Sequence, residues 1–70
     1  MPNTYTAVTK KDGLWWIGWI EEVPGVNCQE RTHKELLQTL RATLGEALEF
    51  NRQDALQAAA TGFTEEPITI

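Results

Sequence analysis

The chain has 70 residues and a formal net charge of −4, with six Lys and Arg against ten Asp and Glu. This length predicts one small domain over residues 1–70, and a domain of this size is marginally stable unless it is stapled or oligomeric. The single cysteine, Cys28, excludes an internal disulfide and the paired-cysteine zinc motifs. The acidic surplus and the scattered cations disfavour direct nucleic-acid binding, which normally needs a basic patch.

No segment has the character of a targeting or membrane-spanning element. The N-terminus lacks the charged start and apolar core of a signal peptide, and the longest apolar run, Leu14–Ile20, is far shorter than the ~18 residues of a membrane span. We therefore expect a soluble cytoplasmic protein. Its acidic surface would suit a basic protein partner through electrostatic steering, or would serve only to keep the protein soluble.

Two strands joined by a hairpin are predicted at the start of the chain. Residues Asn3 to Lys10 are rich in Thr, Tyr and Val, which favour extended structure. The pair Asp12–Gly13 that follows is a strong hairpin signal. The run Leu14–Ile20 then contains three tryptophans within five residues and is predicted as the second strand.

The tryptophan-rich strand has no polar face. Successive residues of a strand point to opposite sides. The two sets are Leu14, Trp16, Gly18 and Ile20 on one side, and Trp15, Ile17 and Trp19 on the other. A small antiparallel sheet with one solvated face should instead alternate apolar and polar residues. Both faces of this strand are therefore expected to be covered.

A bend, a short third strand and a capped helix are predicted next. Pro24 and Gly25 supply turn chemistry, and Val26–Gln29 is long enough for a short strand. Thr32 with Glu35 three residues later fits a capping box, in which each side chain accepts from the other's backbone N–H. Apolar residues then recur at helical spacing, which predicts an amphipathic helix covering one face of the sheet. The apolar positions are Leu36, Leu37, Leu40, Leu44, Ala47 and Leu48.

The remainder of the chain admits two interpretations. Asn51 is a candidate break and residues Arg52 to Ala60 are again helix-prone, so one long helix and two helices joined near Asn51 both stay open. Gly62 is a natural helix stop.

The final residues, Pro67–Ile70, have strand character, which Pro67 restricts to an edge or a strand start. The predicted fold is α+β: a three-stranded antiparallel meander with one main helix, then a short C-terminal helix and strand (β-β-β-α-β).

One helical layer can cover only one face of the sheet, so the tryptophans are assigned to two environments. Gly18 is small enough for a helix to pack closely against it, and the large Trp16 can fill the space beside it. The set that contains Gly18 is therefore predicted to face the helix. The set of Trp15, Ile17 and Trp19 would form an apolar patch of the size that marks binding sites. We expect a partner protein, a second copy or the folded-back C-terminus to cover it. The expected protein interface comprises Trp15, Ile17, Trp19, Ile68 and Ile70.

Candidate catalytic and metal-binding groups are sparse. The first predicted strand has no carboxylate, whereas two-metal nuclease chemistry needs several that converge. His33 is the only histidine, so a two-histidine site cannot form, and a Cys28–His33 pair lacks the basic surroundings that activate a thiol. Asp12 in a turn and Glu21–Glu22 in a bend have ordinary structural explanations. No enzyme activity, cofactor or metal is expected.

The order of elements resembles the HicB-like antitoxin family over Tyr5 to Phe50. Members typically have a strand, an acidic-Gly turn, an aromatic strand, a Pro-acidic-apolar-Pro-Gly bend, a short strand, and a helix opened by Thr with Glu nearby. The matching residues are Asp12, Gly13, Trp16, Ile17, Glu22, Val23, Pro24, Gly25, Val26, Gln29, Thr32, Glu35, Leu36, Leu40 and Ala47. The chain departs from the family at Glu21, where members often have Pro, and at Glu30–Arg31, where they have a Gly-acidic step.

The resemblance implies a truncated ribonuclease-H-like fold and a protein partner, a small basic ribonuclease toxin of the HicA type whose active site the antitoxin would mask. Many members carry a C-terminal DNA-binding segment, for which this chain offers no candidate before Ile70. The alternative is a solitary homo-oligomeric HicB-like module with a different protein partner and no toxin. A dimer or larger assembly is expected in either case.

Overall fold

The computed structural model describes residues 4–69 as a three-stranded antiparallel sheet with one long helix packed on one side. The strands are β1 (Ala7–Asp12), β2 (Trp15–Ile20) and β3 (Asn27–Glu30), in the spatial order β1-β2-β3, and the helix is α1 (His33–Ala59). The expected α+β meander is confirmed at this level. Within this part of the chain, the helix falls short of the apolar length that a bilayer span requires.

The loop of the first hairpin consists of Gly13 and Leu14, because Asp12 pairs with Trp15. Gly13 has a φ of 62°, and a glycine at the first loop position is typical of the type II′ hairpin turn. The turn predicted at Asp12–Gly13 therefore lies one residue too early. Leu14 was expected on the helix side of the second strand. That prediction is wrong: Leu14 lies in the loop and is 76% exposed.

The bend between β2 and β3 is fixed by two valines. Val23 and Val26 are buried in the core on either side of Pro24 and Gly25, which stay exposed. Gly25 has a φ of 92°, a conformation that L side chains rarely adopt. The turn chemistry predicted for this pair is thus confirmed, and the flanking valines hold the chain against the sheet.

The carboxylate of Glu22 ties the bend to the start of β1. It accepts hydrogen bonds from the Thr6 amide at 2.8 Å and from the Thr6 hydroxyl at 2.7 Å. These two bonds hold the pKa of Glu22 below its ordinary value of 4.5. The bond from the Thr6 amide is the larger cause, and the bond from the Thr6 hydroxyl is the second.

Acid should release this contact. Because the folded pKa of Glu22 lies below the unfolded one, its contribution to stability is complete above pH 4.5 and is lost as the pH falls through the lowered pKa. We expect the Thr6 amide resonance to show an NMR titration step below pH 4.5. The variant Glu22→Gln, which does not titrate at this position, should lack that step. Persistence of the same step in the variant would contradict the contact.

The first turn of α1 is capped by Thr32, as predicted. Thr32 has extended backbone, and its hydroxyl oxygen accepts a hydrogen bond from the Glu35 amide at 3.1 Å. The Glu35 carboxylate accepts from the Thr32 hydroxyl at 2.8 Å, rather than from the Thr32 amide as in the complete capping box. The cap therefore stabilises the helix start through one backbone donor, with Glu35 orienting the hydroxyl.

The helix runs without a break through Asn51 and ends at Ala59, so of the two alternatives the single long helix is correct. Ala60 follows with a positive φ of 62°, and its amide donates to the carbonyls of Leu56 and Gln57. The helix thus ends three residues before Gly62. Residues 60–69 contain no strand, so the separate C-terminal helix and strand are wrong for the described residues. Ile70 lies outside them.

The core lies between α1 and the face of β2 that carries Gly18. A Cβ at Gly18 would lie 3.0 Å from Leu40 Cδ1 and 3.1 Å from Leu36 Cδ2, so the glycine lets the helix approach the strand. The placement of Trp16, Gly18 and Ile20 on the helix side is confirmed. The buried apolar residues of the core are Ile20, Val23, Val26, Leu36 and Leu40.

Candidate protein-binding surface

The face of the sheet opposite α1, here called the open face, carries the second tryptophan set. The strand register places Trp15, Ile17 and Trp19 on this face, with Val8, Lys10, Asp12, Asn27 and Gln29 from the neighbouring strands. Trp15 is 39% exposed and Trp19 is 37% exposed. Among residues 4–69, no helix or strand packs over this face. Large aromatic side chains half-exposed on one flat surface are typical of a protein-binding site.

Two features shape the open face around its apolar centre. The guanidinium of Arg31 lies 4.6 Å from the ring centroid of Trp15, close enough for a cation–π contact. A shallow depression of about 290 Å³ lies between Ile17, Trp19, Asn27 and Gln29. The face thus combines an apolar floor with polar amides at its rim, as binding surfaces commonly do.

The candidate catalytic groups make structural contacts on the helix side. The His33 ring packs at 4.8 Å, centroid to centroid, against the Trp16 ring. The Cys28 thiol donates to the Thr43 hydroxyl at 3.6 Å. Within residues 4–69, no group of three or more His, Cys, Asp or Glu side chains is arranged to hold a metal ion. These contacts explain both residues as packing elements between sheet and helix.

The second half of α1 projects beyond the sheet. A helix of 27 residues is about 40 Å long, whereas a six-residue strand spans about 20 Å. Leu48 is the last helix residue packed against the core. Phe50 lies just beyond it and is exposed. The projecting part of the helix therefore presents its surface to solvent on almost all sides.

The negative charge is concentrated on this projecting half and the segment after it. Up to residue 45, five Asp and Glu balance five Lys and Arg. From residue 46 onward, Arg52 is the only basic residue against five acids: Glu46, Glu49, Asp54, Glu65 and Glu66. The whole net charge of −4 thus belongs to the C-terminal third of the chain. The open face, with Lys10, Arg31 and Asp12, is not acidic.

A second concave surface, here called the edge groove, lies between α1 and the free edge of β1. It has a volume of about 220 Å³, and its lining residues are Tyr5, Ala7, Ile20, Leu37, Leu40, Arg41 and Leu44. The groove exists because α1 packs mainly against β2 and β3. The remaining strand of the sheet, β1, is therefore left without full cover on the helix side.

The expected interface residues fall in two separate places. Trp15, Ile17 and Trp19 lie together on the open face. Ile68 is 78% exposed in the segment after the helix, and Ile70 lies outside the described residues. The four described residues therefore do not form one continuous surface within a single chain.

The sequence patterns point neither to Arg31 nor to the edge groove. Arg31 stands one position past the last pair of β3, opposite Trp15, so a correct strand register would have placed it there. The groove depends on the lateral position of the helix over the sheet, and no pattern in the sequence specifies that position. Leu37, predicted as part of the buried stripe, is instead 42% exposed at the groove wall.

Comparisons of this chain with protein-family models, with curated proteins and with solved structures find no match.

Proposed function

We propose that this chain is an antitoxin-like protein-binding module with a truncated ribonuclease-H-like fold, which acts in the cytoplasm by masking the active site of a small basic HicA-type ribonuclease toxin. The observation that carries the proposal is the open face with its two half-exposed tryptophans. A sheet face of this kind has no occupant within residues 4–69, and burying it on a partner would be strongly favourable.

The charge distribution also supports a basic partner. The excess of acidic residues follows residue 45, on a helix that projects from the domain. An exposed acidic arm accelerates encounter with a basic protein by long-range attraction. The open face would then supply the contact area, since it is mainly apolar and its three charged residues, Lys10, Asp12 and Arg31, leave a net charge of only +1.

Loss of both open-face tryptophans should abolish toxin binding. In the double variant Trp15→Ser/Trp19→Ser, we expect the affinity for the toxin to fall on the order of 1,000-fold, because a tryptophan at an interface hot spot contributes about 2 kcal/mol or more and two are removed. The measurement is calorimetric titration of the protein into the purified product of any adjoining gene for a small basic protein, with rescue of toxin-arrested growth as the cellular readout.

Phe50→Ser is the matched control, because Phe50 is also an exposed aromatic residue but lies on the projecting helix. Unchanged binding by the double variant would exclude the open face as the toxin site. Absence of an adjoining gene for a toxin-like protein, or absence of a complex between its product and the wild-type chain at micromolar concentration, would remove the toxin from the proposal.

The second candidate function is a solitary homo-oligomeric module with a different protein partner. The same open face favours it, since two copies can bury their tryptophans against each other through a two-fold axis. Because a dimer is expected for both candidates, binding to the toxin separates them: a complex with the basic toxin supports the antitoxin, and its absence supports the solitary module. Sedimentation then locates the interface between copies, since a dimer that dissociates in the double tryptophan variant would support self-association through the open face.

A further inference from the structure

Among residues 4–69, no strand pairs with the outer edge of β1. The Glu21 amide donates to the Thr6 carbonyl at 3.0 Å, so Thr6 and Glu21 form a hydrogen-bonded pair of the antiparallel ladder. Hydrogen-bonded pairs alternate along such a ladder. The amides and carbonyls of Ala7, Thr9 and Lys11 therefore point away from β2, toward the free edge. An edge of this kind is a template for another strand.

The edge groove lies beside these groups and is lined mostly by apolar side chains. A strand added along β1 would therefore gain backbone hydrogen bonds on one side and apolar contact with Leu37 and Leu44 on the other. One basic residue, Arg41, stands in the wall of the groove. The fitting occupant is an extended segment with an acidic residue next to a large aliphatic one.

The chain contains such a segment, here called the C-terminal segment, at residues 66–69. Glu66 is followed by Pro67, Ile68 and Thr69; Ile and Thr favour strands, and Pro is accepted at a strand start. The segment is exposed and belongs to no strand in the described chain. Glu66 is complementary in charge to Arg41 of the groove, and Ile68 is complementary to its leucine side chains.

The contact between the segment and its own helix holds the segment beyond the end of its own groove. The Glu65 carboxylate lies 3.9 Å from the Arg52 guanidinium. From Arg52 back to Leu37 is about 22 Å along the helix axis, and to Leu44 about 12 Å. The four residue steps from Glu65 to Thr69 span at most about 14 Å. A second copy can therefore take up the segment without breaking this contact, whereas filling the full length of its own groove would strain it.

We infer that the C-terminal segment of one copy adds as a strand to the free edge of β1 in a second copy, with Ile68 in the edge groove and Glu66 near Arg41. The projecting half of α1 carries the segment away from its own sheet and toward the partner's. Two such exchanges related by a two-fold axis give a closed dimer. This inference does not rest on the proposed function, because it uses neither the open face nor a toxin.

Analytical ultracentrifugation of the full chain across the micromolar range tests the inference. We expect a dimer for the wild-type chain and at least an approximately tenfold higher dissociation constant for Ile68→Lys, whose side chain is exposed in the single chain and so leaves the fold intact. Ala7→Pro removes an outward-pointing amide at the first residue of the edge strand, where proline is tolerated, and should also dissociate the dimer. Phe50→Ser is the control and should leave the dimer unchanged.

A mixing experiment distinguishes exchange between chains from closure within one chain. The Ala7→Pro chain keeps an intact C-terminal segment, and the Ile68→Lys chain keeps an intact β1 edge. In an equimolar mixture, the segment of the first chain should bind the edge of the second. The result is a heterodimer with one exchange, which neither variant can form alone. Hydrogen exchange should show protection of the Thr9 and Lys11 amides that rises with protein concentration.

Three results would overturn the inference. The first is a wild-type chain that stays monomeric throughout the concentration range. The second is a dimer that survives Ile68→Lys but dissociates in Trp15→Ser/Trp19→Ser, which would place the interface on the open face. The third is protection of the Thr9 and Lys11 amides that does not depend on concentration, which would show that the segment pairs within its own chain.

Discussion

Replacing Leu36 by alanine should lower the free energy of unfolding by about 2–5 kcal/mol, because it removes a fully buried side chain from a small core. Leu36 is 0% exposed and packs directly over Gly18. A 70-residue domain has a total stability of roughly 4–10 kcal/mol. The variant should therefore lose a large share of its stability, and a sizeable fraction of molecules should be unfolded at physiological temperature.

The measurement is urea unfolding followed by tryptophan fluorescence, with Leu37→Ala as the matched control. Leu37 is the next residue on the same helix but is 42% exposed, so the same truncation should cost less than about 1.5 kcal/mol. Equal losses at the two positions would mean that α1 does not pack on the sheet through the face described above.

Gly18→Ala should also destabilise the domain, with a loss of about 1–3 kcal/mol of unfolding free energy. An added Cβ would lie 3.0 Å from the Val8 carbonyl oxygen and 3.0 Å from Leu40 Cδ1. The leucine methyl can move, but the carbonyl belongs to the paired strand β1. The strand and the helix would have to separate slightly, which loosens the core around Leu36 and Leu40.

The same substitution at Gly45 is the control and should have the opposite sign. A Cβ there meets no atom within 4 Å, and the position is inside α1, where alanine is favoured over glycine by about 1 kcal/mol. Thermal unfolding by circular dichroism should therefore show a lower midpoint for Gly18→Ala and a higher one for Gly45→Ala. A stabilising Gly18→Ala would show that the helix lies farther from β2 than the structure places it.

The elements that local chemistry determines could be predicted from the sequence. Strand-favouring residues located the three strands approximately, although β1 begins at Ala7 and not at Asn3 as expected. Thr32 located the helix start, because capping needs only one side chain and a nearby amide. The turn was misplaced by one residue, since Asp12–Gly13 and Gly13–Leu14 both satisfy hairpin geometry and differ only in turn type. The helix continued through Asn51 because one weak helix former costs only a few tenths of a kcal/mol between good ones.

Features that depend on distant parts of the chain could not be predicted as well. The C-terminal segment has strand-forming residues, but a strand forms only where an edge accepts it, and no such pairing occurs within residues 4–69. For the candidate surface, the small size of Gly18 correctly predicted which face of β2 packs against the helix, and therefore which tryptophans lie on the open face. The stacking of Arg31 on Trp15 and the edge groove both depend on strand register and helix position, which composition does not encode.

The two-residue loop at Gly13 has a consequence for the choice between competing folds. Both faces of β2 are apolar. If the pairing of β2 with β1 slipped by one residue, Trp15, Ile17 and Trp19 would face the helix, and the burial of apolar side chains alone would not disfavour that arrangement. The shifted arrangement is a near-degenerate competitor of the kind that makes a folding landscape frustrated. The tight loop at Gly13 selects one register of β1 against β2, and the space that only Gly18 leaves for Leu36 and Leu40 selects the face. Two glycines thereby decide which tryptophans are available to other molecules.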